Sequence, residues 1–91
     1  MGKDDLDARR KKMLFRSSHR GMQETDILLG AFARRYLEAL SEAQLQRFET
    51  LLEETDNDLF DWITGKKEVP AALEHDVMKL LQDFRSSLIK I

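Results

Sequence analysis

The chain has 91 residues, 42% hydrophobic and 35% charged, with a net charge of −2. That suits one small soluble domain burying roughly 60–65% of its unfolded surface, with no room for a large enclosed substrate cavity. It contains no cysteine, which excludes a disulfide scaffold, a thiolate zinc site, an iron–sulfur cluster and a cysteine nucleophile.

The first predicted helix covers about residues 4–17, with Leu6, Met13 and Leu14 apolar and Arg9-Arg10-Lys11-Lys12 mostly on the wet side. Ser18-His19-Arg20-Gly21 breaks it, and Gly21 can adopt the left-handed backbone that ends a helix at little cost. The second helix is expected over residues 23–39, where Leu29, Phe32, Ala33, Tyr36, Leu37 and Leu40 form one stripe at helical spacing. Ser41-Glu42-Ala43-Gln44 is a capping-box pattern, and the helix that follows carries Leu45, Phe48, Leu51 and Leu52. Asp56 is the expected N-cap of a short fourth helix with Leu59, Phe60, Trp62 and Ile63, stopped by Gly65. Pro70 fits the first turn of a fifth, in which Leu73, Val77, Leu80, Leu81, Phe84 and Leu88 keep the same period. The reading is an all-α protein, a compact five-helix bundle forming a single domain over 1–91, with a core over about 6–85 and loose ends.

Charge is unevenly distributed. Residues 1–20 hold seven Lys/Arg against three Asp, and residues 21–91 hold eight Lys/Arg against fourteen Asp/Glu. A basic leading segment on an acidic body points to a charged docking surface. No apolar run approaches the roughly 20 residues of a membrane span. Asp4, Asp5 and Asp7 do not fit a signal or transit peptide, and Leu6 stands where a myristoylation motif wants Ser or Thr. A cytoplasmic protein without membrane insertion is expected.

No nucleophile, base and orienting partner come together in the sequence, so no catalytic residue is assigned and an enzyme is not expected. His19 falls in a predicted turn and His75 near the last helix. Asp56-Asn57-Asp58 opens like a calcium loop, but Phe60 takes the next ligand position and Asp61 replaces the required glycine; no metal site is expected. Arg9 to Lys12 with Lys3, Arg16 and Arg20 could face phosphates, although a solvated helix face is the commoner meaning of such a run. Trp62 reads as a helix anchor or as a binding hot spot.

The segment Arg20-Gly21-Met22-Gln23-Glu24-Thr25-Asp26 stands out. In one reading Glu24 and Asp26 complement the positive N-terminus of the second helix and Gly21 permits the turn. In the other, Gly21 lets a partner's backbone approach while Arg20 and Glu24 offer charge-assisted hydrogen bonds. The residues alone leave both open.

The stretch from Arg16 to Ala33, containing Arg20-Gly21-Met22-Gln23-Glu24, resembles the Arg-Gly-x-x-Glu region of the SdhE-type succinate dehydrogenase assembly factor family, the flavinylation factors of bacteria and mitochondria. Phe48 to Glu53 followed by Asp56-Asn57-Asp58-Leu59-Phe60-Asp61-Trp62 resembles the same family's second block. The likeness covers about residues 8–84. His19 departs from it, since some members carry a second arginine there. The resemblance implies a five-helix bundle that binds the flavoprotein subunit of succinate dehydrogenase, and of fumarate reductase where present. It implies that the protein promotes covalent FAD attachment without doing the chemistry. It also implies that the FAD belongs to the client; no feature of the chain calls for a cofactor of its own, its size argues against one, and without a transit peptide the bacterial cytoplasm is the expected location. Carried over by position, Arg20, Gly21 and Glu24 are the main partner-binding residues, with Met22, Asp26, Asp56, Asp58 and Trp62 beside them. A monomer is expected. The alternative is a regulatory module, antitoxin-like or binding nucleic acid through the basic helix.

Overall fold

The computed structural model describes residues 3–89. Five helices follow in order: α1 (Lys3–Ser18), α2 (Gln23–Tyr36), α3 (Glu42–Leu51), α4 (Asp56–Thr64) and α5 (Asp76–Ile89), with a 3-10 turn at Ala71–Leu73 before the last. Among the described residues there is no strand. Helix reaches Lys3 at one end and Ile89 at the other, into stretches expected to be loose; residues 1, 2, 90 and 91 lie outside the described chain.

The core is built from the stripe positions. Met13, Leu29, Phe32, Leu45, Phe48, Leu51, Leu59, Val77, Met78 and Leu81 are all fully buried. Phe32 ties three helices together: its ring centroid lies 5.3 Å from that of Phe48 on α3 and 5.7 Å, edge-on, from that of Phe84 on α5. Tyr36 closes the group, 4.9 Å from Phe32 and 5.8 Å from Phe84. Such tilted and edge-on pairs match ring quadrupoles and add to the area term. Helices α1 and α2 pack closely, because a Cβ on Gly30 would stand 3.2 Å from Ser18 Cβ.

The capping box of α3 is formed as the sequence indicates: Gln44 N donates to Ser41 Oγ at 3.2 Å and Ser41 N to Gln44 Oε1 at 2.9 Å. Four local expectations change. Helix α2 ends at Tyr36 rather than residue 39, and Ala39 N and Leu40 N both donate to Tyr36 O in a tight turn. Leu37 and Leu40 stay buried in that turn, so the apolar period runs past the helix end. The N-cap of α4 is Thr55, whose hydroxyl accepts from Asp58 N at 3.2 Å; Asp56 is the first helical residue and faces elsewhere. Pro70 opens the 3-10 turn, with Leu73 N on its carbonyl at 2.9 Å, and α5 begins only at Asp76. His75 starts it, its Nδ1 accepting from Met78 N at 3.2 Å. Gly21 is not left-handed: Gly65, with φ of 82° at the end of α4, is the single positive-φ residue among those described.

Candidate functional site

The α1–α2 link and the α3–α4 link are bolted together by one ion pair. Arg20 Nε donates to Asp56 Oδ1, Nη1 donates to Leu52 O at 3.0 Å, and Nη2 donates to Glu54 O at 2.6 Å. A planar guanidinium fork can satisfy a carboxylate and two carbonyls at once. The other oxygen of Asp56 accepts from Gly21 N and Met22 N, each at 3.1 Å. Asp26 turns back from the first turn of α2 to accept from Arg20 N, while Met22 O accepts from Asp26 N at 3.0 Å and from the Thr25 hydroxyl at 2.9 Å. Burial by itself would raise the Asp56 pKa; the Arg20 hydrogen bond and charge, with the Met22 and Gly21 amides, outweigh it and hold the carboxyl below its ordinary value.

This bracket sorts the residues singled out from the sequence. The Arg20 side chain is only 11% exposed and each of its three nitrogens donates within the chain, so it acts here as an internal brace. Met22, Asp26 and Asp56 are parts of the same brace. Trp62 is 7% exposed and packed in the core, which assigns it packing. Asp58 faces Lys67 Nζ at 3.9 Å, and Asp61 faces the same ammonium at 3.7 Å. Gly21 and Glu24 are what the brace leaves exposed. Neither the backbone nor the packing requires a glycine at position 21: its φ is not positive, and an added Cβ would meet only Asp56 Oδ2, at an ordinary 3.7 Å.

Beside Gly21 lies a shallow depression lined by Phe15, Arg16, His19, Arg20, Gly21, Thr55 and Asp56. Phe15 and His19 stack at 3.9 Å with planes 12° apart, and Phe15 is 61% exposed. His19 Nδ1 lies 2.9 Å from Phe15 O; because a carbonyl only accepts, Nδ1 carries the proton and Nε2 is the free ring nitrogen. Sequence reasoning passed over Phe15. Its signal was position, two residues from fully buried Met13 and therefore on the opposite side of α1.

The arginines of the basic run of α1 are paired, whereas Lys11 and Lys12 are exposed. Arg9 reaches Glu49 at 3.1 Å, Arg16 pairs with Glu53, and Arg10 donates to Leu37 O at 3.2 Å near the end of α2 and lies 3.6 Å from Asp7. Among the described residues no group of three or more His, Asp or Glu comes together to hold a metal ion, and no helix is long and apolar enough to cross a membrane.

Comparison with known proteins places the chain. The family described as "Flavinator of succinate dehydrogenase" matches residues 11–85. Similar curated proteins are succinate dehydrogenase assembly factor 2, mitochondrial, of Dictyostelium discoideum (45% identical over 78 residues, 86% of this chain and 55% of the relative) and of Danio rerio (40% over 81 residues, 87% and 51%). The FAD assembly factor SdhE of Acetobacter pasteurianus is 39% identical over 70 residues, 77% of this chain and 64% of the relative. The chain spans about half the length of the mitochondrial relatives it matches. It belongs to the family of succinate dehydrogenase flavinators.

Proposed function

We propose that this chain is a maturation factor that binds the flavoprotein subunit of succinate dehydrogenase, and that of fumarate reductase where one exists, and promotes covalent attachment of FAD. The flavin is the client's, and the bond forms on the client. The chain's part is to hold one client conformation by binding it in preference to others, which shifts the client's equilibrium by no more than the difference in affinity. A cytoplasmic, monomeric factor is part of the same reading.

The observation that carries it is Gly21. The fold does not require a glycine there, yet the brace of Arg20 and Asp56 fixes that backbone at the surface, three residues before the exposed Glu24. A rigid edge with no side chain is what a partner's main chain needs for close approach, and a pre-set edge lowers the ordering cost of binding. The nucleic-acid alternative finds less support, because Arg9, Arg10 and Arg16 are paired within the chain.

The test is in-gel flavin fluorescence of the denatured flavoprotein subunit from cells with and without this gene. Denaturation removes non-covalent FAD, so only the adduct fluoresces. The expected result is loss on deletion, recovery with the wild type and no recovery with Gly21→Arg, whose helical circular dichroism is checked in parallel. Unchanged fluorescence on deletion overturns the assignment.

A further inference from the structure

Three large apolar side chains are exposed among the described residues: Phe15 at 61%, Ile27 at 60% and Leu88 at 52%. Two of them border the Gly21–Glu24 edge. Phe15 lines the same depression as Gly21, and Ile27 lies three residues after Glu24 on α2, on the same face of the helix. Neither position belongs to the buried stripe of its helix, where Met13 and Ser17 on α1 and Thr25, Leu28 and Leu29 on α2 turn inward.

We infer that Phe15 and Ile27 are the apolar anchors of the docking face and flank its polar centre at Gly21 and Glu24. Single exposed apolar residues are ordinary on protein surfaces; an aromatic and an aliphatic one bracketing a fixed polar edge have the anatomy of a binding hot spot. The occupant is a protein surface with an apolar hollow for the Phe15 ring and a cation opposite Glu24. Glu24 is exposed and, among the described residues, has no ion-pair partner. His19 contributes as a backing plate: its ring stacks on Phe15 at 3.9 Å and its Nδ1–H is tied to the Phe15 carbonyl. That arrangement restricts the phenyl rotamer and reduces the entropy lost when a partner closes over it. An anionic membrane is a poorer match, because Glu53 and Asp56 already neutralise Arg16 and Arg20 and the charge left over at this edge is the Glu24 carboxylate.

The inference rests on the proposed function for the identity of the partner, the flavoprotein subunit. The experiment is titration calorimetry of that purified subunit with the wild-type chain and with Phe15→Ala, Ile27→Ala and Gly21→Arg, each variant first matched to the wild type by circular dichroism and thermal melting. Exposed positions leave the fold unmoved, so Phe15→Ala and Ile27→Ala are expected to melt as the wild type does and to weaken binding at least about tenfold each. His19→Ala is expected to weaken binding less. Wild-type affinity in both alanine variants, with Gly21→Arg impaired, overturns the anchors and leaves the proposed function standing. No binding by the wild type overturns both. Sedimentation of the chain alone identifies a different occupant: dimerisation abolished by Phe15→Ala makes the face a contact between copies and overturns the client assignment. Binding of phosphatidylglycerol vesicles that Phe15→Ala abolishes does the same in favour of a membrane surface.

Discussion

Replacing Asp56 by alanine removes three contacts: the charged hydrogen bond from Arg20 and the hydrogen bonds from the Gly21 and Met22 amides. The two amides border solvent and can be rehydrated, so their loss costs little. Arg20 cannot leave easily, since its side chain is 11% exposed and still held by the carbonyls of Leu52 and Glu54. Stranding one partner of a fully buried pair costs about 3–5 kcal/mol; with water close by and two acceptors retained, the lower end applies, about 3 kcal/mol. For a domain this size that lowers the melting temperature by roughly 12–24 °C. Asp56→Asn, which keeps an oxygen but not the charge, is expected to fall between. Thermal and urea melts followed by circular dichroism measure it. There is also a pH signature. A carboxylate held below its ordinary pKa of 3.8 stabilises the fold above that pH, and the stabilisation is lost as pH falls through the lower folded value. The wild type and Asp56→Ala therefore converge in acid. A loss below about 1 kcal/mol at neutral pH, or a gap that persists in strong acid, would refute a brace centred on this pair.

His75 carries a second pH dependence. Burial lowers its pKa below 6.5, Asp76 opposes that and Arg47 adds to it, while its neutral Nδ1 accepts from Met78 N. The contribution is therefore present above pH 6.5 and lost as pH drops through the lower folded value, so the urea midpoint should decline from about pH 6.5 downward in the wild type and not in His75→Ala. Gly65→Ala meets no atom within 4 Å but must hold φ near 82°, so its cost is backbone alone, about 1–2 kcal/mol by chemical denaturation. Gly30→Val, facing Ser18 across the α1–α2 contact, should cost about 1–3 kcal/mol by the same measurement.

The helices were legible because each buries one stripe, and the stripe repeats every 3.6 residues in plain view. Their ends were legible only where a residue carries a local device, as Ser41 with Gln44 and Gly65 do. Tyr36 ends α2 with no such device, and Leu37 and Leu40 disguise the stop by staying in the core. Asp56 shows the limit more sharply. Its position before an apolar run signals an N-cap, yet the carboxylate is claimed by Arg20, 36 residues away, and Thr55 takes the cap. A tertiary partner is invisible to local pattern. For the same reason the motif could be found in the sequence while its division of labour could not: Arg20 and Glu24 are both charged and four residues apart, and only the fold turns one inward and leaves the other out.

The brace also fixes when in folding the exposed edge at Gly21 comes into being. Its long-range hydrogen bonds join residues 32 to 36 apart in sequence, whereas α1 and α2 are neighbours and pair across a short link. Closing the longer loop carries a larger entropic cost and requires α3 to have packed back onto the α1–α2 pair. A chain truncated before α4 carries the whole Arg-Gly-x-x-Glu sequence without the shape, because Asp56 is missing. The edge at Gly21 thus takes shape only in a molecule whose α3–α4 link has returned to its α1–α2 link.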